Sequence, residues 1–63
     1  MGGYTLKRNK AKYIGPDDTE YKKGEVYFVY PIKGVNENDM IAAENAYGEA
    51  YAMPAKFFEI INN

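Results

Sequence analysis

The sequence predicts an all-β domain of five short strands, partly closed into a barrel, with a single helical turn before the last strand. Three stretches carry that expectation. Residues 25–32 (EVYFVYPI) are β-branched and aromatic throughout, so this strand is apolar on both faces. Two short segments flank Asn45-Ala-Tyr-Gly48, a tight turn that makes them a hairpin. Residues 48–61 read as a strand, a turn begun by Pro54, and a closing apolar strand. Proline fixes φ near the helical value and lacks a donor that a first turn does not use, while the preceding Met53 is pushed to extended geometry.

Length and composition bound the function classes. The chain has 63 residues, with seven Tyr and three Phe supplying most of the large apolar area. It has no Cys, His or Ser, so disulfides, thiolate or imidazole metal ligands and the commonest hydroxyl nucleophile are all missing. No enzyme activity and no cofactor are expected. Eight basic and nine acidic residues leave a formal charge of −1, with no global pull towards nucleic acid or anionic membrane. No apolar run reaches membrane-helix length and no signal-peptide core is present, so a cytoplasmic location is expected.

In chain order, residues 1–9 (MGGYTLKRN) read as a frayed terminus or an edge strand through Tyr4 and Leu6. Residues 10–63 form the single domain. Lys7, Arg8, Lys10 and Lys12 are its one basic cluster. Residues 10–14 alternate as a half-buried strand with Ala11 and Tyr13 on one face. The loop Gly15–Glu20 carries Asp17, Asp18 and Glu20, an acidic rim with too few ligands and the wrong spacing for a calcium loop. Residues 21–24 (YKKG) read as a diverging turn, and residues 33–39 as a polar loop. Residues 39–44 (DMIAAE) would tolerate helix but are short for one.

Taken together, these segments resemble an SH3-type barrel across residues 10–61. Ala11-Lys12-Tyr13 is similar to the family's Ala-Leu-Tyr segment, Tyr21-Lys-Lys-Gly-Glu25 to its diverging turn, and Met53-Pro-Ala-Lys-Phe-Phe58 to its helical-turn segment. The resemblance implies a core of Ala11, Tyr27, Val29, Ile41, Ala43, Tyr51, Met53 and Phe58. It also implies a groove-like surface at Tyr13, Met40, Pro54 and Phe57, with Met40 where such domains carry Trp and Gly15 where a second groove Tyr is expected. Lys12-Tyr13-Ile14-Gly15, Gly24/Tyr27/Val29 and Gly48-Glu49/Tyr51/Pro54/Phe58-Glu59-Ile60 are similar to small SH3-like proteins of Gram-positive bacteria and their phages. That likeness implies an accessory protein, such as an inhibitor that occludes a host protein.

A barrel wall needs one inward face, so Val26, Phe28 and Tyr30 are surplus apolar area on the other. Either residues 1–9 or the loop at 33–38 covers them, or they form an interface. The leading expectation is a protein-binding module acting on a larger protein, and a homodimer through this row, with Asp17, Asp18, Glu20 and Glu25 as its acidic surround. A nucleic-acid-binding barrel, using Lys7, Arg8, Lys10 and Lys12 with Tyr4 and Tyr13, is the alternative. Glu44 and Glu49 flank the hairpin turn without an apolar setting that would suit them to acid–base work. A small acidic or nucleotide-like ligand held between protomers is a minor reading, since no Gly-rich phosphate loop is present.

Overall fold

The computed structural model describes residues 8–61 and is all-β. Five antiparallel strands form one sheet: β1 (Asn9–Tyr13), β2 (Val26–Tyr30), β3 (Met40–Glu44), β4 (Ala50–Pro54) and β5 (Phe58–Ile61). A single 3-10 turn, Ala55–Phe57, separates the last two. The order β4-β3-β2-β1-β5 makes β4 and β5 the two edges of the sheet. The segment 39–44 is a strand because Met40–Glu44 pairs along its whole length with β4, and Ala42, Ala43 and Glu44 pair with β2 as well; such tertiary pairing overrides a weak helical preference. Tyr4, Leu6 and Lys7 lie outside the described residues, and Asn9 already belongs to β1.

The β3–β4 connection follows its turn chemistry. Asn45 is buried, accepts bonds from the Tyr47 and Glu49 amides on Oδ1 (2.9 Å each) and donates from Nδ2 to Glu20 Oε1 (2.6 Å). Gly48 closes the turn at φ +82°, where a side chain would be strained. Pro54 departs from expectation. At ψ 128° it ends β4 and caps the 3-10 turn from outside, rather than occupying the turn's first position. An edge strand accommodates it because the absent prolyl donor faces away from β3.

The sheet is strongly coiled. Ala11, Tyr13, Tyr21, Val29, Ile41, Ala43 and Phe58 form one buried cluster, with Tyr27, Met53, Ala55 and Phe57 packed against it. The Tyr21 ring stands perpendicular to Phe58 of β5 at 6.0 Å, while its hydroxyl donates to the Ala43 carbonyl of β3 at 2.6 Å. A flat sheet would hold β3 and β5 about 14 Å apart, at roughly 4.8 Å per strand, so coiling is what lets one side chain span them.

Three expectations about the core need correction. Tyr51 is 44% exposed. Its register opposite Ala43 turns it inward, but among the described residues β4 has no strand beyond it to cover the ring. Tyr13 is 1% exposed and is a centre of the core, reaching the surface only at the floor of one depression. Its ring meets Tyr21, Tyr27, Phe57 and Phe58 at 5.2–6.5 Å, and its hydroxyl donates to the Pro16 carbonyl at 2.6 Å. Tyr21, read as part of a turn, is also 1% exposed.

Candidate functional site

The outward row of β2 is Val26, Phe28 and Tyr30, and the structure gives each a different setting. Val26 is 48% exposed. Phe28 is half-buried beneath the Arg8 guanidinium, 4.3 Å above the ring centre, a cation–π contact between a strand and the residue leading into its neighbour. Tyr30 is half-buried and donates its hydroxyl to Glu44 Oε1 at 2.7 Å. The register adds cations beside the row: Lys10 stands opposite Phe28, and Lys12 opposite Val26. The loop at 33–38 sends Glu37 and Asn38 to the rim of a cavity of about 290 Å³, which Tyr30 of the row lines together with the core residues Val29, Ile41 and Phe58.

A second concavity, of about 440 Å³, opens where β2 begins and β3 ends. Val26, Phe28 and Tyr47 are its outward apolar surfaces, and Glu20, Glu25 and Glu44 its carboxylates, with Lys22 a single cation among the lining residues. Tyr47, at the tip of the β3–β4 turn, is 77% exposed, and the Asn45 side chain holds its amide in place. The backbone on the turn side of the groove is thereby braced. Glu20 accepts from Asn45 and Glu44 from Tyr30, each through one oxygen. Among the described residues, the second oxygen of each of these two carboxylates makes no hydrogen bond and keeps its acceptor capacity.

The predicted acidic rim is thus divided. Glu20 and Glu25 join the β2 groove, whereas Asp17 and Asp18 line a third, open depression with Tyr13, Pro16, Thr19, Met53 and Phe57. Asp17 Oδ1 accepts from the Lys23 amide at 2.7 Å, and Asp18 Oδ1 lies 3.4 Å from the Glu20 amide, so both help shape their own loop. Of the predicted groove-like surface, Tyr13 and Phe57 meet at that depression, while Met40 and Pro54 are cross-strand partners that do not line it. Gly15 has a packing role: a Cβ there would come within 2.6 Å of Phe57 Cγ and 2.9 Å of the Tyr13 hydroxyl.

Glu44 and Glu49 do not act as a pair. Glu44 bonds Tyr30, whereas Glu49 Oε1 lies near Asn45 Nδ2 at 3.4 Å and accepts from the Tyr51 hydroxyl at 3.1 Å. Tyr47 and Asn45 escaped the sequence reading as site-forming residues, because in a turn they looked like punctuation; the exposed ring within Asn-Ala-Tyr-Gly was the available signal. Among the described residues, no helix is long and apolar enough to cross a membrane. Comparison with known proteins returns no match: no family model, curated protein or solved structure is significantly similar to the chain.

Proposed function

We propose that this protein is a non-enzymatic binding module on a coiled, SH3-like β scaffold, which engages a partner protein through the acidic groove at the start of β2. The observation that supports it is the co-location of exposed Val26 and Tyr47 with the carboxylates of Glu20, Glu25 and Glu44 around one concavity. Exposed apolar anchors encircled by like charge suit a partner segment that pairs Lys or Arg with an apolar or aromatic side chain. The carboxylates steer the encounter and the apolar surfaces retain it, so binding blocks whatever that segment does in the partner. An accessory or inhibitory role in a bacterium or phage is the setting the sequence resemblance suggests.

The test is capture of a partner by wild-type protein against two variants, Val26→Asp and the charge reversal Glu20→Lys/Glu25→Lys. Loss of a stoichiometric partner with both variants, each still folded by circular dichroism, supports the groove. Retention of the partner by both would place the contact elsewhere.

The nucleic-acid reading rests on Arg8, Lys10 and Lys12, alternate residues that share the outward face of the β1 side of the sheet. It loses one of its stacking groups, since Tyr13 is buried, and Arg8 already occupies the face of Phe28. Salt-sensitive retention of single-stranded oligonucleotides would favour it over the groove.

A further inference from the structure

We infer that the edge strand β4 is a self-docking surface, pairing antiparallel with β4 of a second copy to make one continuous sheet. The hydrogen bonds at its two ends fix which way its peptide groups face. The Asn45 amide donates to the Glu49 carbonyl at 2.7 Å, and the Ala55 amide donates to the Asp39 carbonyl at 2.9 Å. Because bonded and non-bonded pairs alternate in an antiparallel ladder, Tyr51 and Met53 turn their peptide groups towards β3. Ala50, Ala52 and Pro54 turn theirs outward.

This edge lacks the usual defences. Ala50–Pro54 contains no charged residue, and Ala50, Tyr51 and Ala52 are all exposed. Natural edges are normally blunted by lysines, bulges or inward charges. Here Pro54, at one end, is the sole such device within the strand.

The edge is also complementary to itself. A two-fold axis at Ala52 sets Ala52 against Ala52 of the second copy, and Ala50 against its Pro54. The four outward amides, two from each copy, then all find acceptors: two on the opposing Ala52 carbonyls and two on the opposing Pro54 carbonyls. The missing prolyl donor costs no amide its partner. On the inward side Tyr51, exposed for want of a neighbouring strand, comes opposite Met53 of the other copy, a favourable sulfur–aromatic pairing.

Charge selects the second copy over an arbitrary extended peptide. Glu49 precedes β4 and Lys56 follows it, so antiparallel pairing brings acid to base twice by symmetry, and parallel pairing would set like against like. None of Ala50–Pro54 lines the acidic groove, so a dimer would present two free grooves.

The experiment is sedimentation equilibrium over a micromolar-to-millimolar series on synthetic full-length chains. The natural chain is expected to reach twice its monomer mass. A chain N-methylated at Ala52, which removes the two central bonds without altering a side chain, should stay monomeric with an unchanged circular dichroism spectrum. Lys56→Glu and Glu49→Lys should each weaken self-association about 5-fold, and an equimolar mixture of the two should assemble at least as well as the natural chain. A monomeric natural chain, a dimer that survives N-methylation, or a mixture no stronger than its components would each overturn the proposal.

Discussion

The inward and outward aromatic sets of this small domain do different work with the same residue types. Inward, Tyr13, Tyr21, Tyr27, Phe57 and Phe58 pack ring against ring, mostly tilted or edge-on, and the Tyr13 and Tyr21 hydroxyls are committed to backbone carbonyls. Outward, Phe28 meets a guanidinium, Tyr30 a carboxylate, and Tyr47 mostly water. Backbone carbonyls are fixed by the fold, so the inward contacts can form only when the sheet is coiled. Side-chain charges can be exchanged for those of another molecule, so the outward contacts can be rearranged on binding. The inward set should therefore determine stability and the outward set recognition.

The comparison is tested most severely by substituting one residue on each face. Phe58→Ala removes a ring that touches both Tyr13 and Tyr21, and such truncations cost about 3–5 kcal/mol. A chain of this length has roughly 3–9 kcal/mol of total stability, so the variant should be largely unfolded in chemical-denaturation and circular dichroism measurements. Val26→Asp on the outward side should shift the unfolding free energy by no more than about 1 kcal/mol. Equal losses in the two variants would dissolve the distinction.

Gly15→Ala probes how tightly the inward set is sealed at its rim. The added methyl meets Phe57 at 2.6 Å and the Tyr13 hydroxyl at 2.9 Å, and both rings are held by neighbours. Overpacking of this kind costs about 1–3 kcal/mol. A smaller effect by urea denaturation would mean that Phe57 swings out freely, and that the depression beside Asp17 and Asp18 is adaptable.

Removing single hydroxyls gives a finer comparison. Tyr21→Phe deletes a fully buried bond to the Ala43 carbonyl, worth about 1 kcal/mol. Tyr30→Phe deletes a half-buried bond to a carboxylate that water can solvate instead, so a loss below about 0.5 kcal/mol is expected. The ranking of the two denaturation midpoints checks this.

How far the sequence revealed these sets depended on what each residue needed for its placement. Strand identities, the hairpin and the turn before β5 were legible because local chemistry specifies them: Gly48 at positive φ, Asn45 bonding its own turn, and β-branched residues in β2. Alternation gave the inward position of Ala11, and the resemblance to SH3-type domains implied those of Val29, Ile41 and Ala43. Tyr21 was not legible, because its burial arises from coiling between β3 and β5, which no local pattern encodes. Tyr51 failed for the opposite reason: the resemblance pointed it inward, but its cover depends on strand order. The groove was half legible. Val26 and Phe28 stood out as surplus apolar area with Glu20 and Glu25 in their surround, but Glu44 and Tyr47 join them only because the β3–β4 turn comes to lie beside the start of β2.

The effect that is silent at neutral pH is the dependence of stability on alkaline pH, and it bears on the inward set alone. Burial, reinforced by the nearby Glu20, Tyr51 and Asp18, pushes the Tyr21 hydroxyl from 10.0 up to about 12, against a lowering contribution from the Tyr51 backbone. Burial, followed by Asp18 and Asp17, raises Tyr13 as well. Each group keeps its proton more firmly in the folded chain than in the unfolded one. Their contribution is therefore complete below the unfolded value and is lost as the pH climbs through the folded one. Urea midpoints should stay level through neutral pH as far as these groups are concerned, then fall between pH 10 and about 12. Lysines titrate in part of this range too, so the informative quantity is the difference between the natural chain and Tyr21→Phe. That variant, weaker at neutral pH, should lose stability less steeply above pH 10, bringing the two midpoints together. Parallel curves would mean that Tyr21 ionises as easily in the folded chain as in the unfolded one, and that water reaches the interior of the aromatic cluster.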